Sequence, residues 1–564
     1  MASDPPAENV PRSESAALRD LEETVRLEPD HGPSWHQLGQ LLARVGRYGD
    51  ALPCLIRAAE LEPANLLCRS ELGHLFRNLD FVNEAIHWHG EALALEPDSL
   101  VLQLNHLFVL PIVAASMEQI AWCRERCERG LEVLEAGPPL RADPGNNVMI
   151  CHPFYLLYQD SDDRALLERY GRLIARCFKP QHQAAGPSFR PVPLGGRRLR
   201  IGFLSGFFYD HSNARAFEGL IRHLDRGEFE VVLIHLAQSP HDAVRSRIEA
   251  CCDAVVTLPA PFNGASAALS ALELDLLFFT DIGMNPFTTM LAAQRLAPVQ
   301  ATGWGLPQTS GLPTIDYYVS GELVEPPGAE ALYSEKLVCL SGLPCCYLSE
   351  SLEANTLPRD YFLLPPDLPL WGCLQRLEKY PPDFDATLEA IAQAVPEALF
   401  VFVEEKVPSL TAFFLQRLEH SAPAVRERVV MLGRMNRAEY MALAGCVDVL
   451  LDPFHFGSGI TLYETIHTGT PVVTLEGRFL RSRFVAAAYR LIEVEDPPVA
   501  ATPAAYVELA VALMQDPQRR ELLRQEIAAK AKARLYDRFD YVRGFEDFAL
   551  AAVAQARSGE GRSG

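Results

Sequence analysis

The segment VDVLLDPFHFGSGITLYE, residues 447–464, passes from an apolar run through a glycine turn into a helical pattern. The apolar residues 447–451 predict a buried strand, and Gly457 and Gly459 allow a tight backbone turn after it. In open α/β sheets ligands bind at the carboxyl ends of strands, where helix N–H groups attract phosphate. The segment therefore predicts a doubly wound α/β domain with a phosphate-binding turn.

Several residues of this turn are candidate ligand contacts. Gly457, Ser458 and Gly459 would offer backbone N–H groups, and Thr461 would add a hydroxyl donor. Glu464 lies one helical turn further on, where a carboxylate can accept hydrogen bonds from ribose hydroxyls. An ordinary glycine turn followed by a surface glutamate fits the same pattern, because short glycine motifs often occur by chance.

Strand and helix patterns alternate on both sides of this segment and form two series. The predicted strands are 198–205, 229–235 and 274–280 in the first series, and 370–374, 399–403, 428–432, 447–451 and 471–474 in the second. Such alternation predicts two consecutive parallel-sheet domains with a cleft between them. His211 lies in the loop after the first strand, which makes that loop a candidate edge of an active site.

Two charged motifs follow the strand at 370–374. Lys379 stands where a cation could reach a pyrophosphate, although a solvated surface lysine has the same appearance. Asp383 and Asp385 match the Asp-x-Asp pattern of metal-dependent glycosyl transfer, but they stand between Pro382 and a predicted helix. Helix capping explains them more simply, and we expect no metal there. For His455, beside the glycine turn, packing is as plausible a role as catalysis.

The N-terminal part has an internal period of 34 residues. Leu-Glu-Pro occurs at 27–29, 61–63 and 95–97, and Leu38-Gly39 is repeated as Leu72-Gly73. This period and these small residues are typical of tetratricopeptide repeats, each a pair of antiparallel helices. A stack of such pairs presents a concave groove suited to an extended peptide, so we expect it to bind a protein or peptide.

The composition excludes several classes of partner. The net charge of −22 disfavours binding to nucleic acid and to anionic membranes. No apolar run approaches the roughly 20 residues of a membrane span, and the first residues lack a signal-peptide pattern. The 13 cysteines have no zinc-motif spacing, so we expect reduced, mostly buried thiols in a cytoplasmic protein without a bound metal.

Several blocks, in order, resemble the SPINDLY-type family of tetratricopeptide-containing O-linked N-acetylglucosamine transferases. The blocks are LAPVQ at 296–300, GLPQTSG at 305–311, YSEKL at 333–337, residues 452–464 and GTPVVT at 469–474. The resemblance covers the repeats and nearly all of residues 198–555. It implies two Rossmann-like domains in the GT-B arrangement, with the donor nucleotide held mainly by the second. It also implies inverting, metal-independent transfer from a nucleotide sugar to Ser or Thr, with no further cofactor.

The resemblance also implies a role for individual residues. His211 matches the active-site histidine, and Lys379 matches the lysine that neutralises the diphosphate leaving group. Gly459, Ile460 and Thr461 match the phosphate donors, and Glu464 matches the acidic residue that holds ribose. Met435, Arg437 and Tyr440 fall in the segment that reads the base, and Gly305, Leu306 and Pro307 would line the sugar pocket.

Departures from the family pattern leave the donor open. Ser212 follows the histidine where the animal enzyme has proline, as in the plant SPINDLY branch that is associated with GDP-fucose. Gly459-Ile460-Thr461 replaces the animal enzyme's His-Thr-Thr and loses side-chain donors. UDP-N-acetylglucosamine is the expected donor. The alternatives are GDP-fucose or UDP-glucose, an asparagine acceptor, or a catalytically inactive repeat adaptor.

The predicted domains follow from these patterns. They are tetratricopeptide repeats at 1–100, a helical extension and linker at 101–196, a first Rossmann-like domain at 197–355, a nucleotide-sugar-binding domain at 356–555 and a disordered tail at 556–564.

Overall fold

The computed structural model describes residues 12–138, 140, 150–178, 196–352 and 356–558. The chain divides into two compact units. The first consists of residues up to Ile112 together with Ile120–Pro153, and the second of Val113–Gln119 together with the chain from Phe154 onward. Within the predicted helical extension and linker at 101–196, residues 139, 141–149 and 179–195 lie outside the described residues, and so do residues 559–564 of the predicted tail.

The N-terminal part is helical, and two consecutive pairs of its helices pack closely. The helices are α1 (Arg12–Leu27), α2 (Gly32–Arg44), α3 (Tyr48–Leu61), α4 (Leu66–Asn78), α5 (Val82–Leu95), α6 (Leu100–Leu107) and α7 (Met117–Ala136). α2 packs along α3 and α4 along α5, as a 34-residue period predicts. Gly39 and Gly73 permit this approach, since a Cβ on either would lie 2.6 Å from a side chain of the facing helix. The described array agrees with the predicted repeats.

The second unit contains a seven-stranded parallel sheet. Its strands are β1 (Leu199–Ser205), β2 (Phe229–His235), β3 (Ala254–Thr257), β4 (Leu276–Phe279), β5 (Val299–Gly303), β6 (Tyr317–Gly321) and β7 (Lys336–Leu340). Their order in the sheet is β3-β2-β1-β4-β5-β6-β7. Leu199 pairs with Phe229 and Ile201 with Leu276, which sets the register on both sides of β1. Five helices accompany the sheet: α8 (Arg164–Cys177), α9 (Ser212–His223), α10 (Ala243–Glu249), α11 (Phe262–Ser270) and α12 (Pro286–Ala292).

A six-stranded parallel sheet follows in the same unit. Its strands are β8 (Leu370–Cys373), β9 (Leu399–Val403), β10 (Val429–Leu432), β11 (Val449–Leu451), β12 (Val472–Leu475) and β13 (Val499–Ala500), in the order β10-β9-β8-β11-β12-β13. The helices are α13 (Pro382–Ala394), α14 (Pro408–Ser421), α15 (Pro423–Arg426), α16 (Arg437–Cys446), α17 (Ile460–Thr465), α18 (Phe484–Ile492), α19 (Pro503–Gln515), α20 (Pro517–Arg534) and α21 (Phe539–Ser558).

Two helices lie apart from the domains to which their sequence positions assign them. α21 follows the second sheet in sequence but packs on the first, where Phe545 contacts Phe203 and Phe278. α8 was predicted as part of a helical extension, yet a Cβ on its Gly171 would lie 2.1 Å from the carbonyl oxygen of Gly311. Residues 556–558, predicted as tail, continue α21. These contacts are tertiary and have no local sequence signal.

The strand orders place the candidate loops at the positions where ligands bind. The order reverses between β1 and β4 in the first sheet and between β8 and β11 in the second. Loops that follow such neighbouring strands diverge and leave a crevice at the carboxyl edge. The loop with His211 follows β1, Lys379 follows β8, and the glycine turn follows β11. Among the described helices, none is both long enough and apolar enough to cross a membrane.

Candidate functional site

A cavity of about 360 Å³ lies at the carboxyl edges of the two sheets. This volume falls within the range of pockets that hold small organic ligands. The predicted site residues that line it come from both sheets: His211, Gly305, Leu306, Pro307, Lys379, Tyr440, Gly459 and Thr461. Met435, Arg437, Gly457, Ser458 and Glu464 are not among the residues that line it.

His211 is positioned as the N-cap of α9. Its Nδ1 accepts a hydrogen bond of 3.1 Å from the backbone N–H of Asn213, and its ring stacks on Phe207 with centroids 4.5 Å apart. Burial, with Arg215 and Arg376 nearby, lowers the pKa of His211 to about 4, so the ring is neutral at pH 7. A neutral imidazole that accepts at Nδ1 carries its proton on Nε2. His211 is therefore set up to donate a hydrogen bond and not to remove a proton.

Lys379 is a buried cation held by three neighbours. Its Nζ donates to Gln375 Oε1 at 3.0 Å and to the carbonyl oxygen of Gly457 at 2.9 Å, and lies 4.3 Å from the centroid of Phe456. Burial lowers the pKa of Lys379 to about 8, so the ammonium still prevails at pH 7. An ammonium has three donors. Within the described residues the third has no hydrogen-bond acceptor, so it remains available to a ligand.

The glycine turn is held from beneath by Asp452. The backbone N–H and hydroxyl of Ser458 both donate to Asp452 Oδ1 at 2.8 Å, and the N–H of Gly457 donates to the carbonyl oxygen of Arg481 at 3.0 Å. These N–H groups are therefore not phosphate donors here, which corrects the roles predicted for Gly457 and Ser458. The cavity is instead lined by the following residues, Gly459 to Thr461, at the start of α17.

Glu464 is buried in a network of arginines. Its Oε1 lies 2.8 Å from Arg215 Nε and 3.0 Å from Arg437 Nε, and its side chain is 4 % exposed. Glu464 is not among the residues that line the cavity, and its predicted contact with ribose stays a prediction. The same ion pair engages Arg437 and removes it from the cavity lining. Tyr440 does line the cavity, and its hydroxyl donates to the carbonyl oxygen of Leu374 at 3.1 Å.

Asp383 and Asp385 do not act together. Asp385 is buried against Arg417, with Nε–Oδ2 and Nη2–Oδ1 distances of 2.9 and 3.0 Å. Asp383 Oδ2 lies 2.7 Å from His455 Nε2. No side-chain cap is formed at the start of α13, so the capping interpretation is wrong: tertiary partners engage both carboxylates. His455 holds this contact at a φ of 67°, in the left-handed region that favours glycine.

The sugar-pocket candidates occupy a crowded turn after β5. A Cβ on Gly305 would lie 1.9 Å from the carbonyl oxygen of Thr280, so only glycine fits there. The carbonyl oxygen of Leu306 accepts a 2.8 Å hydrogen bond from Tyr318, which fixes the turn against the sheet. Gly305, Leu306 and Pro307 therefore form a rigid wall of the cavity opposite the second sheet.

Sequence reasoning missed two groups of residues in the cavity. Gln375 links the loop after β8 to the segment after β11. Its Nε2 donates to Ser458 Oγ at 3.0 Å and to Thr461 Oγ1 at 3.1 Å. Its position at the end of a predicted strand was a usable signal. Tyr155 and Tyr158 also line the cavity, and the ring centroids of Tyr158 and Phe456 are 5.0 Å apart. They precede α8, far from either sheet in sequence, so no local pattern could have indicated them.

Glu378 was also missed, although it precedes Lys379. It lines the cavity, its Oε1 lies 2.9 Å from Arg376 Nε, and its side chain is 3 % exposed. Its Oε2 is buried without a hydrogen-bond partner among the residues described. Burial raises the pKa of this carboxyl, which makes it a stronger base than a solvated glutamate.

Comparisons with known proteins show which proteins this chain resembles. Residues 148–343 match the family model Glycosyl transferase family 41. The chain is 24 % identical over 417 residues to the Arabidopsis thaliana protein named probable UDP-N-acetylglucosamine–peptide N-acetylglucosaminyltransferase SEC, covering 70 % of the chain and 42 % of that protein. It is 27 % identical over 367 residues to the SPINDLY protein of Oryza sativa subsp. japonica, which bears the same enzyme name, covering 63 % and 38 %. The chain thus spans less than half the length of these curated relatives.

A solved structure of a mutant O-GlcNAc transferase from Thermobaculum terrenum aligns with a TM-score of 0.73 at 24 % identity. The alignment covers 97 % of this chain and 96 % of that one. This likeness shows the fold, a helical array followed by two Rossmann-like sheets in the GT-B arrangement. The family model and the named relatives, and not this likeness of fold, support a glycosyltransferase. Residues 148–343 thus match glycosyl transferase family 41, and the chain is similar to the SPINDLY and SEC proteins.

Proposed function

We propose that this protein transfers a sugar from a nucleoside diphosphate sugar to a hydroxyl group of a protein, with UDP-N-acetylglucosamine as the donor. The observation that carries the proposal is that one cavity contains both the buried ammonium of Lys379 and the imidazole of His211. They come from opposite sheets, as expected where a donor and an acceptor meet. The names of the SEC and SPINDLY relatives support this choice of donor.

In this proposal the second sheet holds the diphosphate. The remaining N–H of Lys379 and the first backbone N–H groups of α17 bind the phosphate oxygens. Negative charge builds up on the diphosphate as its bond to the sugar breaks, and a preorganised cation stabilises that charge. Because Gln375 and Gly457 already hold Lys379 in place, little reorganisation is needed during the reaction.

The acceptor hydroxyl attacks the anomeric carbon from the side opposite the diphosphate, so the configuration of that carbon inverts. The Nε2–H of His211 orients the donor or the acceptor by donating a hydrogen bond. Glu378 is the group in the cavity that is suited to take the proton of the acceptor. This residue lines the cavity, and its raised pKa favours proton uptake near neutral pH.

The proposed reaction uses no resident cofactor and no metal at Asp383 and Asp385. His455 and Arg417 occupy these carboxylates, which supports that part of the proposal. We further propose that the helical array binds the protein acceptor, as the groove of a repeat stack can. A cytoplasmic location completes the proposal, and the thirteen free cysteines support it.

Calorimetric titration with UDP and with GDP tests the proposal. Binding of UDP in preference to GDP is the expected result, and binding should weaken in Lys379→Ala. Preference for GDP would support the alternative donor GDP-fucose, which the Ser212 position suggests. If neither nucleotide binds, the chain is an inactive adaptor and the proposed function is wrong.

A further inference from the structure

At one buried position, the helix pair α4–α5 has a polar side chain where the preceding pair α2–α3 has an apolar one. Leu55 on α3 is 1 % exposed and packs on Gly39, where a Cβ would lie 2.6 Å from its Cγ. Thirty-four residues later in the same repeat frame, His89 on α5 is also 1 % exposed. A Cβ on Gly73 would lie 2.6 Å from its Nδ1. An imidazole thus fills the site that leucine fills in the preceding repeat.

A histidine at this position destabilises the fold unless its imidazole gains a partner. Neither ring nitrogen of His89 has a hydrogen-bond partner among the described residues. A buried polar group without a partner destabilises a fold relative to an apolar side chain of similar size. If position 89 served only packing, leucine would therefore give a more stable fold. The presence of histidine indicates a ligand.

Two further ligand atoms lie beside His89. Cys151 Sγ is 3.7 Å from His74 Nδ1, and ligand atoms of His74, His89 and Cys151 all lie within 4.8 Å of one another. Cys151 is held in place because its backbone N–H donates to Asn105 Oδ1 at 2.6 Å, and Asn105 is fully buried on α6. The three side chains come from α4, α5 and the segment 150–153, so they converge from separate parts of the first unit.

We propose that His74, His89 and Cys151 bind one divalent metal ion of the zinc type, a site outside the cavity described above. Two imidazoles and one thiolate are the ligands that Zn²⁺ prefers, and a water molecule would complete a tetrahedron. Zinc bonds of about 2.0–2.3 Å place neighbouring ligand atoms about 3.3–3.8 Å apart. The Cys151–His74 distance fits this range, and the widest separation needs a side-chain movement of about 1 Å.

The charges around the site suit a thiolate complex. Both ring nitrogens of His89 lack a hydrogen-bond partner among the described residues, so a lone pair is open to a metal. Positive charges near this ring, including those of Arg77 and Arg126, disfavour a cation without a compensating negative charge. On binding, the Cys151 thiol loses its proton to solvent, and the thiolate charge then offsets part of the charge of the metal. The ion would crosslink segment 150–153 to helices α4 and α5.

Metal analysis of the full chain tests the proposal. The protein is stripped with a chelator, incubated with ZnCl₂, freed of excess metal and analysed for bound zinc. Co²⁺ serves as a spectroscopic probe, because a thiolate ligand adds a sulfur-to-cobalt charge-transfer band. The variants are His89→Leu, which restores the residue of the preceding repeat, and Cys151→Ala. Cys54→Ala, at another buried cysteine on α3, is the matched control.

The parent chain and Cys54→Ala should each bind one zinc ion per chain and show the charge-transfer band with Co²⁺. His89→Leu and Cys151→Ala should lose both the zinc and the band. Zinc should raise the Tm of the parent chain and leave that of His89→Leu unchanged. Should Cys151→Ala fail to fold, His89→Leu still decides the matter. Substoichiometric zinc in the parent chain, or equal zinc in the parent and His89→Leu, would overturn the proposal.

Discussion

Arg215 Nε lies 2.8 Å from Glu464 Oε1, which joins the helix that begins beside His211 to the helix that begins at the glycine turn. Arg437 Nε lies 3.0 Å from the same oxygen. The carboxylate is almost completely buried, so solvent screens these attractions little. The two edges of the cavity are therefore held together by an ion pair that itself lies outside the cavity.

Replacing Glu464 by alanine should destabilise the fold more than it weakens nucleotide binding. The change removes a buried carboxylate from the half-buried Arg215 and Arg437, and breaking a buried ion pair costs about 3–5 kcal/mol. The free energy of unfolding in urea measures this loss. Glu493→Ala is the control, because Glu493 forms a surface pair with Arg534. Normal stability with greatly weakened nucleotide binding would instead return Glu464 to the ribose role.

The charge of Lys379 should produce a limb in the pH profile of kcat/KM. The pKa of this lysine is lowered to about 8, so the free enzyme loses the ammonium as the pH rises through that value. Because the charged form is the active one, kcat/KM should fall about tenfold per pH unit well above this pKa. A profile that stays level to pH 10 would contradict the required charge.

Replacing His211 by alanine should lower kcat by about 10² while changing nucleotide affinity little. The variant loses one positioned donor from the first-sheet side, and the loss of such a donor typically costs this much. Steady-state kinetics on a defined acceptor, paired with nucleotide titration, separates the two effects. Weakened nucleotide binding with unchanged kcat would move His211 to the nucleotide site.

Replacing Glu378 by glutamine should lower kcat by about 10²–10⁴, the range of general-base catalysis. Glutamine preserves the shape but cannot accept the proton. The parent enzyme should lose activity as the pH falls and Glu378 becomes protonated, and the residual activity of the variant should lack this limb. Glu405→Gln is a control, since Glu405 pairs with Arg376 but does not line the cavity. An unchanged acidic limb in Glu378→Gln would exclude Glu378 as the base.

The sequence predicted those parts of the site that depend on strand ends. Residues 447–464 fold into β11, the glycine turn and α17, much as their pattern indicates. His211 and Lys379 were found because each follows a predicted strand, and the carboxyl ends of parallel strands meet at one edge.

Tertiary partners that have no local sequence signal decide where the other candidate side chains lie. Glu464 has the right spacing for ribose, but Arg215, from a distant helix, engages its carboxylate. Asp385 has the position of a helix cap, but Arg417 pairs with it from α14. His74, His89 and Cys151 lie too far apart in sequence to form a recognisable motif, and only the packing of the helices brings them together.

Release of nucleoside diphosphate from UDP-N-acetylglucosamine, GDP-fucose and UDP-glucose tests the central claim most directly. It is measured together with the intact mass of a protein acceptor, for the parent chain and for Lys379→Ala. The account predicts UDP release and an acceptor heavier by one N-acetylglucosamine residue, with a rate about 10²–10³ lower in Lys379→Ala. Lys532→Ala, at an exposed lysine on α20, should match the parent. No nucleotide release from any donor, or equal rates in the parent and Lys379→Ala, would contradict the account.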